Sequence, residues 1–193
     1  RPLRSAVGAP QMCGILAVSG SKKSAEALKL ETLTLQRLIR HRGPDGSGIH
    51  VMENTDGTAS SIAHERLAIM DPLSGNQPLY SKDRKLSLAV NGEIYNYVEI
   101  RQTLIEHGYR FRSHSDTEVI LKAYDLWGEQ CVERFNGMWA FAIHDPYRKV
   151  VFCSRDRFGV KPFYFVETEQ GFAFGSEIRQ LLPLLPSVKA DMG

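Results

Sequence analysis

The sequence predicts an α+β protein in which two stacked antiparallel sheets lie between outer helices. Three observations predict it. Strand-like runs fall into two groups, one on each side of a helical middle. The last four runs follow one another closely, which favours antiparallel meanders. Strands and helices do not alternate regularly, which argues against a doubly wound parallel sheet.

The elements follow in order. Cys13 to Val18 is small and apolar, as in a buried strand. Ser24 to Arg40 carries leucines at 28, 30, 33, 35 and 38 with Ile39, mixed with Lys, Glu, Gln and Arg, and reads as an amphipathic helix. His41 to Gly48, with three glycines and a proline, breaks that helix and reads as a loop. Ile49 to Glu53 and Ser61 to Met70 read as strands joined by a turn at Asn54-Thr55-Asp56-Gly57. Leu86 to Val90 is a short strand leading into Asn91-Gly92-Glu93. Asn96 to His107 and Ser115 to Trp127 read as helices; Ser115 and Glu118 have capping-box spacing. Met138–His144, Lys149–Ser154, Pro162–Val166 and Gly171–Phe174 read as the final strands, and Ser176 to Leu182 as a last helix.

Composition narrows the function. The 193 residues suffice for one well-buried domain. A net charge of +2 gives no strong pull toward nucleic acid or an anionic membrane. No apolar run is long enough to span a bilayer. The three cysteines, Cys13, Cys131 and Cys153, form no C-x-x-C pair. That argues against a disulfide framework or thiolate zinc site and fits a reducing, cytoplasmic setting. No His-x-x-x-His metal spacing and no phosphate-loop motif occurs.

Several residue types nevertheless suit one chemistry. Cys13 directly follows Met12; if Met12 is a translation start, its removal leaves a cysteine with a free α-amine. Such an amine has a pKa of roughly 7.7–8.0 and can activate its own thiol. Without that context, a lone cysteine in an apolar strand is usually inert. Asn91-Gly92 is either a hairpin turn or a pair of donors for a developing oxyanion. Arg66 either meets a structural carboxylate or clamps a ligand carboxylate. Asp116 either serves its helix dipole or, since Ser115 can cap, faces a cation such as an ammonium. His64 and His114 lie in no telling local motif, and a surface or core role suits them better than that of a base. A thiol, an oxyanion donor pair, a fixed cation and an anion together suit an α-amino acid substrate.

Met12-Cys13-Gly14-Ile15, Arg40 to Gly48, His64-Glu65-Arg66-Leu67, Asn91 to Asn96 and Ser115 to Glu118 occur in that order. Phe135 to Ala142 and Arg155 to Pro162 follow them. As a set they resemble the glutaminase domain of glutamine-dependent asparagine synthetases, from Met12 to about Leu182. These are class II glutamine amidotransferases of the N-terminal-nucleophile hydrolase type. Hexosamine- and purine-forming relatives share the nucleophile and Asn-Gly but lack His-Arg-Gly-Pro-Asp and His-Glu-Arg-Leu. The resemblance implies a four-layer αββα sandwich. It implies Cys13 as nucleophile, Asn91 and Gly92 as oxyanion donors, and Arg66 on the α-carboxylate of L-glutamine. Glu93 and Asp116 would face the α-ammonium, and Leu67, Ala68, Ile69 and Met70 would line the pocket. The Arg42–Gly48 loop would cover the site, and Arg155 to Pro162 reads as a structural turn.

The resemblance further implies no metal or cofactor in this domain. ATP and Mg²⁺ would belong to a C-terminal synthetase domain acting in cis, whose Ser-Gly-Gly-x-Asp-Ser type loop does not occur here. It allows a homodimer of the full-length protein. The expected division is residues 1–12 as a leader, propeptide or cloning residue, 13–182 as the amidotransferase domain, and 183–193 as the start of a linker. With the leader retained, the chain reads instead as a non-catalytic glutamine-binding module. The same glutaminase serving another acceptor also stays open.

Overall fold

The computed structural model describes residues 12–67, 77–81 and 85–188. The apolar first run forms β1 (Gly14–Ser21) and the leucine-bearing segment forms α1 (Ala25–Arg37). Ser24 caps α1, its hydroxyl accepting from Ala27 N. Then come β2 (Gly46–Glu53), β3 (Ala59–Arg66), the two-residue β4 (Leu79–Tyr80) and β5 (Ser87–Ile94). The helical middle is α2 (Tyr97–Glu106) and α3 (Asp116–Trp127). β6 (Gly137–Asp145), β7 (Val150–Arg155), β8 (Tyr164–Thr168), β9 (Gly171–Gly175) and α4 (Ile178–Leu181) complete the chain.

Two antiparallel sheets result, ordered β2-β3-β1-β9-β8 and β4-β5-β6-β7. Side-chain alternation then sorts the core into three layers. Leu16, Val18 and Ala63 point outward against Leu28 and Leu35 of α1. Leu88, Val90 and Phe141 point outward against Ile100, Leu104, Ile120 and Tyr124 of α2 and α3. Ile15, Ala17, Ile62, Ala89, Ala140, Ala142 and Phe174 fill the space between the sheets. Three apolar layers separate four structural ones, which is the expected αββα sandwich.

The sequence groups of strands do not correspond to the sheets. β6–β7 and β8–β9 are two hairpins in different sheets, not one meander. The chain crosses from one sheet to the other through residues 156–163, because β9 pairs with β1 while β6 pairs with β5. Three local expectations also change. The loop expected over 41–48 ends early: Gly46, Ser47 and Gly48 pair with Arg66, Glu65 and His64 inside β2. A Cβ on Gly48 would fall 1.8 Å from Gln77 O, so close approach explains that glycine. The strand expected to reach Met70 ends at Arg66, and residues beyond Leu67 up to 76 lie outside the described ones. The capping box is half formed. Ser115 caps α3 through Thr117 N, but the Glu118 carboxylate turns back to Arg112 N, Ser113 N and the Ser113 hydroxyl.

Candidate active site

Alternation fixes which side chains can meet. Cys13 continues the Ile15–Ala17 row of β1, His64 and Arg66 continue the Ile62 row of β3, and Asn91 and Glu93 continue the Ala89 row of β5. All of these rows face the space between the sheets. At one end of the sandwich that space opens into a cleft of about 1420 Å³. Cys13, Arg66, Leu67, Asn91, Gly92, Glu93 and Asp116 all line it. The structure thus brings together every expected site residue among the described ones. Ala68, Ile69 and Met70 lie outside the described residues.

The Cys13 thiol is half-buried and close to the backbone of Leu67, 3.5 Å from its N and 3.8 Å from its O. Burial pushes the thiol pKa up, against smaller opposing effects from the Leu67 backbone, Lys161 and Arg66. At neutral pH the sulfur therefore keeps its proton and needs a base. His64 is a poor candidate. It is buried, and desolvation lowers its pKa to about 4. Among the described residues neither ring nitrogen closes a well-formed hydrogen bond, although the Val90 backbone is near enough to favour the charged form slightly.

The Asn-Gly pair is not a turn. Asn91 and Gly92 sit within β5, opposite Ala140 and Trp139. Backbone N–H groups alternate between the two edges of a strand. Tyr95 N donates toward the β6 side, to Asn136 O, so even-numbered N–H groups face the other edge. There Val90 N donates to Gln77 Oε1 and Ile94 N to Asp116 Oδ2. Gly92 N lies between them on the cleft wall. Its missing side chain is demanded by packing, since a Cβ would lie 2.2 Å from Met138 O. Asn91 is 2% exposed, and its Nδ2 is buried without a hydrogen-bond partner among the described residues. A buried orphan donor costs stability, about 1–3 kcal/mol. An acceptor from a bound molecule would satisfy it.

Asp116 opens α3 and binds the last residue of β5 through Ile94 N at 2.9 Å. Burial raises its pKa, the backbone donors oppose that, and the nearby Glu93 raises it further. Two carboxylates crowded in a part-buried site favour a cation between them. Arg66 supplies the opposite charge at the end of β3, where its carbonyl accepts from Asp45 N. Its neighbour Glu65 points to the other face and receives Arg40 Nη1 at 2.8 Å. The His-Glu-Arg run thereby splits into a buried imidazole, a structural ion pair and a cleft cation.

The expected loop over the site is in part an anchor. Arg42 Nε donates to Cys13 O at 3.2 Å and Arg42 Nη1 to Glu177 Oε1 at 3.3 Å. Gly43 lies so close to the Glu65 and Arg66 backbone that a Cβ would fall 2.5 Å from Glu65 C.

The largest correction concerns Arg155 to Pro162, read from sequence as a structural turn. The turn exists: the buried Asp156 carboxylate accepts from Phe158 N, Val160 N and Lys161 N at 3.1, 2.9 and 3.0 Å. It also delivers Lys161 into the cleft, 7% exposed, with Nζ 3.4 Å from Met12 Sδ. Sequence reasoning missed this residue. The signal was a lysine flanked by Val160 and Pro162 in a tight turn, but nothing local placed it near Cys13, 148 positions away.

The chain is similar to known proteins over most of its length. A model of the glutamine amidotransferase domain family matches residues 12–192. Asparagine synthetase [glutamine-hydrolyzing] 3 of Arabidopsis thaliana is 43% identical over 171 residues, 88% of this chain and 28% of the relative. Asparagine synthetase B of Escherichia coli K12 is 40% identical over 181 residues, 92% of this chain and 31% of the relative. The chain thus spans less than a third of the length of either. Among solved structures, the Bacillus subtilis glutamine phosphoribosylpyrophosphate amidotransferase complexed with ADP and GMP superposes with a TM-score of 0.70. It is 22% identical and covers 88% of this chain and 43% of that one, a likeness of fold.

Proposed function

The chain belongs to the glutamine amidotransferase domain family, and from that premise we propose that it hydrolyses L-glutamine to glutamate and ammonia through a Cys13 thioester. The observation that carries the proposal is the buried Asn91 Nδ2, without a hydrogen-bond partner among the described residues, beside the Gly92 N–H and in the same cleft as the Cys13 thiol. Two donors and a thiol in one cleft suit a substrate carbonyl that becomes an oxyanion on attack.

In the proposed reaction the Cys13 thiol gives its proton to the free Cys13 α-amine, directly or through water. Sulfur attacks the side-chain amide carbon of glutamine. The carbonyl oxygen, now negative, accepts from Asn91 Nδ2 and Gly92 N. The C–N bond breaks, the departing nitrogen takes the proton held by the amine, and ammonia leaves. Water then attacks the thioester, and glutamate departs as the thiol re-forms. Arg66 holds the α-carboxylate, and Glu93 with Asp116 holds the α-ammonium. No metal or cofactor has a role in these steps.

Acylation of the α-amine by Met12 would make it an amide, which is no base. The reading therefore requires a chain that starts at Cys13, with 1–12 removed, 13–182 acting as the domain and 183 onward opening a linker. Ammonia release should appear in protein whose mass matches a Cys13 start and be absent from protein that starts at Arg1. Equal release from both would end the terminal-amine mechanism, and none from either would end the glutaminase reading.

Arg66→Lys and Asp116→Asn should each raise the KM for glutamine about 10- to 100-fold, the value of one charge-assisted contact, with a smaller effect on kcat. Both act on the end of the substrate that does not react. Unchanged KM in both variants would mean that the substrate lies elsewhere in the cleft.

The relatives' names extend the proposal. The ammonia would pass to a synthetase domain in cis, which would use ATP and Mg²⁺ to activate the β-carboxylate of aspartate. A cytoplasmic setting is part of the same reading, supported by three free cysteines. Among the described residues, no helix is long and apolar enough to cross a membrane.

A further inference from the structure

Lys161 carries a positive charge into a site where stability does not explain it. The side chain is 7% exposed. Among the described residues no carboxylate lies within ion-pair distance of Nζ, which stands 3.4 Å from Met12 Sδ. A buried ammonium without a paired anion is costly, and an apolar residue would fill the same space at lower cost. The turn that holds Lys161 spends four backbone donors on Asp156, those of Trp139, Phe158, Val160 and Lys161 itself. The fold places this cation deliberately close to the chain segment that precedes β1.

Met12 marks the relevant position. Its sulfur touches Lys161 Nζ, and its backbone is bonded to Cys13 N. The ammonium is therefore about one methionine side chain away from Cys13 N. When Met12 is gone, the Cys13 α-amine is the group that stands next to that position in the chain, and Lys161 and Cys13 already interact electrostatically.

We infer that Lys161 is a positioning residue for proton transfer, whose charge beside the leading Cys13 keeps the α-amine neutral and makes the thiol easier to ionise. The inference rests on the Cys13-led reading given above and deepens it. Like charges disfavour each other, so an ammonium nearby lowers the amine pKa; the same charge favours a thiolate. The first effect leaves the amine in its neutral, proton-accepting form near neutral pH at some cost in basicity, and the second offsets that cost by making the thiolate easier to form. The other charged groups facing this point are Glu93 from β5, Arg66 from β3, Arg42 from the segment after α1, and Asp156 beneath the turn. Asp116 on α3 faces Glu93. The buried His64 is neutral there at ordinary pH. Glu93 and Asp156 oppose the effect, and Arg66 and Arg42 reinforce it. Burial lowers the pKa of Lys161 itself, while Glu93, Cys13 and Asp156 favour its charged form.

The test uses protein that begins at Cys13, with Lys161→Met, Lys161→Gln and Lys161→Arg. Iodoacetamide alkylation of Cys13, read by mass across a pH series, reports its thiolate directly. Cys131 and Cys153, both pushed up to about 12 by burial, stay silent. Loss of the charge should move the alkylation midpoint up by about one pH unit in both neutral variants, the scale of one screened charge at this range. The arginine variant should restore it. The acid limb of kcat/KM for ammonia release should move with it. A midpoint that stays in place in both neutral variants overturns the inference. A shifted midpoint in protein that never releases ammonia keeps the role of Lys161 and instead removes the glutaminase reading. If one neutral variant fails to fold, the other, together with the arginine variant, still decides.

Discussion

Cys13→Ala is expected to abolish ammonia release, by at least about 10⁴-fold, with little change in stability. No other described group in the cleft can replace the sulfur. Cys131 and Cys153 belong to the apolar core rather than the cleft. His64, with a pKa near 4, is buried and neutral. The thiol's two contacts, to Leu67 N and O, are long at 3.5 and 3.8 Å. Truncating a half-exposed side chain with such contacts should change stability by no more than about 1 kcal/mol. Ammonia assay and thermal unfolding on the same preparation check both parts. Retained activity would remove thiol chemistry altogether, whereas a large fall in Tm would mean that sulfur serves the fold.

The second large effect is expected at Asn91. Asn91→Leu should lower kcat by about 10²–10³, the usual cost of one oxyanion donor, with KM little changed. The donor strengthens its bond as charge develops on the carbonyl oxygen, so its loss falls on the transition state. Stability should move the other way. Asn91 Nδ2 is buried without a partner among the described residues, and an apolar side chain of similar size removes that cost. Tm should therefore be unchanged or higher in the slower variant. A variant that is both slower and much less stable would assign Asn91 to the core. Normal kcat would leave Gly92 N alone to hold the oxyanion.

Much of this was legible along the chain. The leucine spacing of residues 24–40 gave α1. Alternation along residues 61–66 correctly put His64 and Arg66 on one face of β3 and Glu65 on the other. The ordered motifs identified the residues that line the cleft, and the cleft collects each of them among the described residues. Where the sequence reading failed, a local preference was overruled by a distant partner. Asn91-Gly92 favours a hairpin turn in isolation, but pairing with β6 draws it into a strand. Glu118 has the spacing of a capping box, but the N–H groups of Arg112 and Ser113 are better placed to take its carboxylate. The four closely spaced last strands suggested one meander, yet β9 found its partner in β1.

By itself the sequence determined the kinds of element and the faces of each strand, because these depend on residue type and on periods of two and 3.6, and its ordered motifs supplied the candidate site residues. Only the tertiary structure decided which faces look at each other, that Lys161 reaches the neighbourhood of Cys13, and that Gly92 N stands on the β5 edge that lines the cleft. Those outcomes depend on pairing between residues far apart in the chain, such as Ala17 with Phe174 and Gly92 with Trp139. Such pairing is settled by the burial of whole layers rather than by any local run of residues.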